Sequence, residues 1–510
     1  MKEFFENGTT YHSNKYGRSI CMCLVVLASM LCNSHQAQAQ SFEEYKKRMQ
    51  SALSQYKAEI EREYKAYRDS INAEFAAFMR QTWPEYESSP AEPVSDSPEP
   101  PVPVVRLPDL PPSSDPIPFD KVTPAFKPIE PPQPVVPVPK PEPIVPSKPM
   151  FAFTFYGQEC QVPFESKHRF TLGGTTENAV ADGWVRLSSD DYLPIIAQCL
   201  DYRDKLRLCD WGYVRFVEQM TTAFFPSSQL NEARLMQMYI LTQSGYKVRI
   251  AQANNRLVLL LPSRETIYKY SYLSIGGSKY YVVDLSLGRS AFKVYDREFP
   301  KEQYFSLRMS EPPVLPVNAV SRRLQSEHDK DLSAEVGINK NLMDFYDDYP
   351  LSPHWDLYSS ASLSEPVKKQ LYPVLRSAIG GKDKATAANI LIHFVQTAFD
   401  YATDDEQFGY ERPLFADETL YYPYSDCEDR AILYSILVRE LLGLDVVLLH
   451  YPDHLATAVC FGTEVAGDYL QVDGRRYIVC DPTYINADVG QAMPQYKRTK
   501  VDVVKVNFTD

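Results

Sequence analysis

Apolar and aromatic residues fall at Phe42, Tyr45, Met49, Leu53, Tyr56, Ile60, Tyr64, Tyr67, Ile71, Phe75 and Phe78. The steps of three, four and four repeat with a period of eleven. That is about 3.67 residues per turn, so the stripe stays on one face of a nearly straight helix and favours a weakly right-handed supercoil. No glycine or proline interrupts it before Pro84. The pattern predicts one helix over 42–83, in a segment running from 40 to 83. Its continuous stripe suits homo-oligomerisation or docking; the alternative is an amphipathic helix lying on its own protein.

At residue 84 the pattern changes. Residues 84–149 hold 23 of the chain's 40 prolines, in runs such as PEPPVPVV and PPQPVVPVPKPEPIVP. Such runs cannot build a helix or a sheet interior. They predict an extended polyproline II spacer, which at ~3.1 Å per residue reaches on the order of 200 Å.

Globular patterning begins at residue 150. It reads as two units, 150–290 and 336–510, joined by a connector over 291–335. In the second unit Ala387–Tyr401 is predicted helical. So is CEDRAILYSILVRELL (427–442), with Gly443 as its stop. The strands LDVVLLH, HLATAVCF, DYLQVD and RRYIVCD follow. A helix and then antiparallel strands predict an α+β fold.

Charge narrows the function. Lys and Arg number 53 against 66 Asp and Glu, a net of −13 among 510 residues. This argues against a nucleic-acid binder and against a polybasic membrane-surface protein. At 44% hydrophobic and 13% aromatic, the chain can fill one or two cores.

The first 39 residues read as an export signal. Lys15 and Arg18 precede the apolar run Ile20–Cys32, which is too short to span a bilayer, and Ala37-Gln38-Ala39 is a small-x-small cleavage site. Cleavage is expected after Ala39, with delivery to the periplasm or cell envelope. A lipoprotein reading is opposed by the bulky Leu31 before Cys32. No later stretch is long and apolar enough for a transmembrane span.

Signal removal leaves Cys160, Cys199, Cys209, Cys427, Cys460 and Cys480. They form no Cys-x-x-Cys pair, and no metal or cofactor is expected. Strand alternation argues against a regular 460–480 disulfide and predicts two buried thiols. A local disulfide between Cys199 and Cys209 stays open.

Cys427 opens its helix, where free N–H groups and the dipole favour thiolate. Asp426, Glu428 and Asp429 surround it, and their charges oppose thiolate. His454 opens a strand 27 residues later, and Asp481 ends another strand 27 further on. If the two strands pair, carboxylate, imidazole and thiol can line up as orienter, base and nucleophile. His450, at the end of the preceding strand, reads as structural. A buried core cysteine is the plainer alternative.

In that order, DCEDRA, HLATAV and YIVCDPTY resemble the transglutaminase-like superfamily with its papain-like fold, over roughly 336–510. The resemblance implies a nucleophile at Cys427, a base at His454 and an orienting acid at Asp481. It implies acyl transfer at a protein or peptide amide through a thioester resolved by an amine or water, with no cofactor. The superfamily also includes peptidases, amidases and inactive structural copies. The rival readings are therefore a cell-wall peptide amidase and a non-enzymatic envelope scaffold. Tyr422 and Tyr424, just upstream, are candidates for the substrate cleft.

The first unit repeats this layout. QLNEARLMQMYILTQSGYKVRI matches CEDRAILYSILVRELLGLDVVL at an offset of 198 residues, and Arg256 falls on His454. With one extra residue, Asp284 falls on Asp481. Gln229 stands at the nucleophile position. Gln229 cannot ionise and Arg256 stays protonated, so this copy reads as a degenerate, binding or scaffolding unit. Asp284 is expected to meet Arg256 as a buried structural ion pair.

Overall fold

The computed structural model describes residues 42–94, 122–126, 150–287, 289–298 and 302–506. The expected signal segment lies outside them, as does most of the proline-rich stretch. Two compact units result, one ending at Ala73 and one spanning Glu74–Asp510.

The long helix runs Phe42–Met79, four residues short of the predicted end. The Trp83 indole N–H donates to the Met79 carbonyl at 3.0 Å, and this turn closes the helix before Pro84. In the first unit Met49, Leu53, Tyr56 and Tyr67 of the stripe are exposed. In the second unit Phe75, Ala76 and Met79 are buried, and Phe75 packs against Trp184 and Tyr295.

The proline-rich stretch supplies two short strands, β1 (Glu85–Glu87) and β2 (Val122–Phe126). β3 (Phe151–Phe155) and β4 (Gln158–Val162) form a hairpin. β5 (Arg249–Ala253), β6 (Arg256–Pro262), β7 (Tyr272–Ile275), β8 (Ser278–Val282) and β9 (Ala291–Val294) follow. β10 (Ala319–Gln325) and β11 (Ser333–Asn339) form a second hairpin. β12 (Asp400–Tyr401) and β13 (Tyr424–Ser425) pair in parallel. Last come β14 (Asp445–Tyr451), β15 (His454–Cys460), β16 (Tyr469–Val472), β17 (Arg475–Cys480) and β18 (Val501–Lys505).

Two six-stranded sheets result, in the orders β1-β9-β5-β6-β8-β7 and β2-β18-β14-β15-β17-β16. All pairs are antiparallel except β18 with β2. Register matches as well as order. Ala253 faces Arg256 in one hairpin, and Tyr451 faces His454 in the other. Each sheet takes its outermost strand from the proline-rich stretch, where an edge position tolerates proline. The first sheet also takes β9 from residues placed by sequence in the connector.

Helix Leu230–Gln243 packs on the first sheet and helix Cys427–Leu442 on the second. The fold is thus mixed helix and antiparallel sheet, as α+β patterning requires. The expected helix over Ala387–Tyr401 instead spans Lys384–Thr397. Asp383 caps its start, and Asp400–Tyr401 leave it to pair with β13. Among the described residues no helix is long and apolar enough to cross a membrane.

The six described cysteines are all free. Cys199 and Cys209 are not joined. The Cys199 thiol lies 3.5 Å from the Met220 sulfur, whereas the Cys209 sulfur accepts from the Gly212 N–H and caps the helix Asp210–Phe224. Thr457, not Cys460, faces Cys480 across the ladder.

Candidate active site

The helix Cys427–Leu442 begins after Asp426, which is in extended conformation, and stops at Gly443 with φ 64°. That left-handed angle is cheap only for glycine. The helix is buried from Cys427 through Val438, so its first turn is fixed on all sides. His454 opens β15, and Asp481 directly follows its neighbour β17. Antiparallel pairing brings the start of one strand beside the end of the other.

Asp481 Oδ2 lies 2.8 Å from His454 Nε2. Asp481 Oδ1 accepts the N–H groups of Thr483 and Tyr484 at 3.0 and 3.2 Å. The carboxylate is therefore oriented by its own turn. Gln396 holds that turn from below. Its Nε2 donates to the carbonyls of Asp481, Tyr484 and Ala487 at 3.2, 2.8 and 3.0 Å. Further along, the loop is pinned where Gly467 and Gly490 cross. A Cβ on Gly467 would sit 2.3 Å from the Gly490 Cα.

His454 and Asp481 are 0% and 2% exposed, and Cys427 is also fully buried. Burial by itself pushes the His454 pKa down. The charge and hydrogen bond of Asp481 outweigh it, and the Cys427 thiol adds to them, raising the value to about 10. At neutral pH the ring is an imidazolium. Its Nδ1 is buried without a conventional hydrogen-bond partner. The Cys427 thiol acts on the ring and donates to Glu428 Oε2 at 3.0 Å. The Tyr496 ring lies nearly flat over the imidazole, 5.0 Å between centroids at 15°.

Around the thiol sits an acidic cluster. Burial first, then neighbouring carboxylates, raises the Asp404 pKa to about 9 and that of Asp426 to about 7. Glu428 and Asp429 are held well above the usual carboxylate range for the same reasons. Arg430 is buried too, but its guanidinium donates to Ser425 Oγ and to the carbonyls of Gln396 and Phe399.

Tyr424 is exposed and lies three residues before Cys427. Tyr422 is half-buried: its carbonyl accepts from Arg322, and Arg412 Nη1 donates to its hydroxyl at 3.4 Å. His450 is half-buried against Trp355.

In the first half Gln229 precedes helix Leu230–Gln243 and donates through Nε2 to the Phe170 carbonyl and to Thr171 Oγ1, each at 3.1 Å. Arg256 opens β6, and its Nη2 lies 2.5 Å from Asp284 Oδ2. The pair is not buried as expected: Arg256 is 46% exposed and Asp284 11%. A long guanidinium at a strand's first position reaches water, whereas an imidazole there is covered.

Sequence reasoning did not single out Gln396, Tyr496, Asp404 or Glu411. Only Gln396 carried a local signal, as a polar residue four after Ile392 on an apolar helix face. Tyr496 opens a short 3-10 helix, Asp404 a four-residue helix, and Glu411 lies in the loop after it. Compared with protein-family models, curated proteins and solved structures, the chain matches none.

Proposed function

We propose that this chain is an exported cysteine-dependent acyl transferase or amide hydrolase of transglutaminase-like type, acting on protein or peptide amides. The observation that carries this reading is the alignment of Cys427, His454 and Asp481, with the imidazole fixed by a 2.8 Å bond to an oriented carboxylate.

In the reacting ion pair the proton is held on His454, and the Cys427 thiolate attacks the amide carbonyl. His454 donates its proton to the departing amine, a thioester remains, and an amine or water resolves it. The amide reaches the sulfur only after the packing over Cys427 and His454 opens. The first half shares the helix and sheet order but has Gln229 and Arg256 in place of thiol and imidazole. It serves as a binding or scaffolding copy of the papain-like unit. The exposed Met49, Leu53, Tyr56 and Tyr67 support self-association through the long helix.

A thioester-forming acyl probe, followed by peptide mass spectrometry, tests the reading. Labelling should fall on Cys427 and vanish in Cys427→Ala. Labelling elsewhere, or none, refutes it. A non-enzymatic scaffold is the second reading, favoured by the complete burial of Cys427. It predicts ligand binding that Cys427→Ala leaves unchanged, with no probe adduct.

A further inference from the structure

We infer that Asp404, Glu411, Asp426, Glu428 and Asp429 form a binding site for a divalent cation, suited to Ca²⁺, at the start of the Cys427 helix. The five fall into two triads that share Asp404: one with Glu411 and Glu428, the other with Asp426 and Asp429. Within each triad one oxygen per carboxylate lies within 4.8 Å of the others. Oxygens around one Ca²⁺, each about 2.3–2.6 Å from it, are spaced on that scale.

Two observations separate this cluster from ordinary helix-capping acids. First, Asp426 Oδ1 and Glu428 Oε1 are buried with no hydrogen-bond partner, on residues 3% and 1% exposed. A buried carboxylate oxygen without a donor is costly, and either a proton shared between Asp426 and Glu428 or a bound cation relieves it. Second, the matching helix of the first half forms without these acids. At the positions of Asp426, Glu428 and Asp429 it carries Ser228, Leu230 and Asn231. The helix fold therefore does not call for them.

Backbone donors hold two of the carboxylates from behind. The Arg412 N–H donates to Asp404 Oδ2 at 2.5 Å, and the Leu414 N–H to Asp429 Oδ1 at 3.0 Å. The guanidiniums of Arg412 and Arg430 act on Asp404 and Asp426 through charge alone, with their hydrogen bonds directed elsewhere. Arg430 donates to Ser425 and two carbonyls, and Arg412 pairs with Asp347 and Glu418. Five carboxylates so close cannot all ionise without added positive charge.

The ligand chemistry selects the ion. All five ligands are carboxylates, which suits a hard cation over zinc. They come from the protein in a buried setting, which suits Ca²⁺; Mg²⁺ keeps several waters. The Cys427 thiol, 3.0 Å from Glu428 Oε2, adjoins the site. A bound cation would offset the negative field that opposes thiolate there. The site stands whether or not Cys427 is acylated.

Calorimetry and thermal melting of the EDTA-stripped full chain test it, with CaCl₂ and MgCl₂ as the probes. Expected are one Ca²⁺ per chain, a melting temperature higher by a few degrees with saturating Ca²⁺, and a smaller rise with Mg²⁺. The double variant Asp404→Asn/Glu411→Gln should lose the Ca²⁺ response yet melt no lower than the stripped parent, because repulsion has been relieved. No Ca²⁺ heat and no shift in the parent overturns the site. So does an equal shift in the variant. A larger response to Mg²⁺ than to Ca²⁺ overturns the choice of ion.

Discussion

Arg256 and His454 open corresponding strands in two sheets of the same order and register, and Asp284 and Asp481 lie just past the ends of the strands beside them. One pair reaches solvent and the other is sealed. An exposed ion pair is screened and adds little stability. A sealed one holds each partner in a fixed charge state, because either alone would be an uncompensated buried charge. The same scaffold thus supports two electrostatic regimes, and the difference lies in what covers the first residue of one strand.

The sharpest way to break this contrast is kinetic. His454→Ala should slow Cys427 acylation by about 10²–10⁴-fold, the usual span for a lost acid–base group, whereas Arg256→Ala should leave it unchanged. Alkylation or acyl-probe kinetics resolved by peptide mass spectrometry read both. Equal effects would end the distinction between the halves.

Next in size is stability. Asp481→Ala leaves a buried imidazolium and should cost about 3–5 kcal/mol in chemical denaturation. It should also slow Cys427 acylation in protein that stays folded. This reverses the ranking that a buried Arg256–Asp284 pair would have given.

A pH series sharpens the same point. The folded pKa of His454 is raised from 6.5 to about 10, so the folded state holds its proton more tightly than the unfolded chain. Stability from this group is complete below about pH 6.5 and is lost as pH rises through about 10. Melting curves over pH 6–10 should fall more steeply for the parent than for His454→Gln. Parallel curves would contradict a protonated, sealed imidazole.

The smallest effect belongs to Asp284→Ala. With Arg256 half in water, the loss should stay below about 1 kcal/mol, with Cys427 reactivity unchanged. A loss as large as that of Asp481→Ala would erase the contrast.

Local pattern carried much of this arrangement. Gly443 marks the helix stop, and the runs after it coincide with β14, β15, β16 and β17. The repeat of 27 residues puts Arg256 and His454 each at the first position of a seven-residue strand, but Gln229 precedes its 14-residue helix whereas Cys427 opens its 16-residue one. Exposure was not legible, since it depends on segments far along the chain. Tyr496 covers His454 from 42 residues away, and Asp404 and Glu411 gather with Glu428, the neighbour of Cys427, from 24 and 17 residues upstream of it. The edge roles of Glu85–Glu87 and Val122–Phe126 were hidden by proline content, which marks a segment as unfit for a sheet interior and says nothing against an edge.

The sealing of Cys427 also bears on chemical durability. Sulfenic and disulfide chemistry need an accessible thiolate. Among the six described cysteines only Cys209 is partly exposed; the others are buried and none is bridged. Peroxide or a small disulfide must wait for the same opening that admits an acyl group. Oxidative inactivation of Cys427 at saturating oxidant is therefore a clock, and its plateau rate measures how often the site uncovers itself.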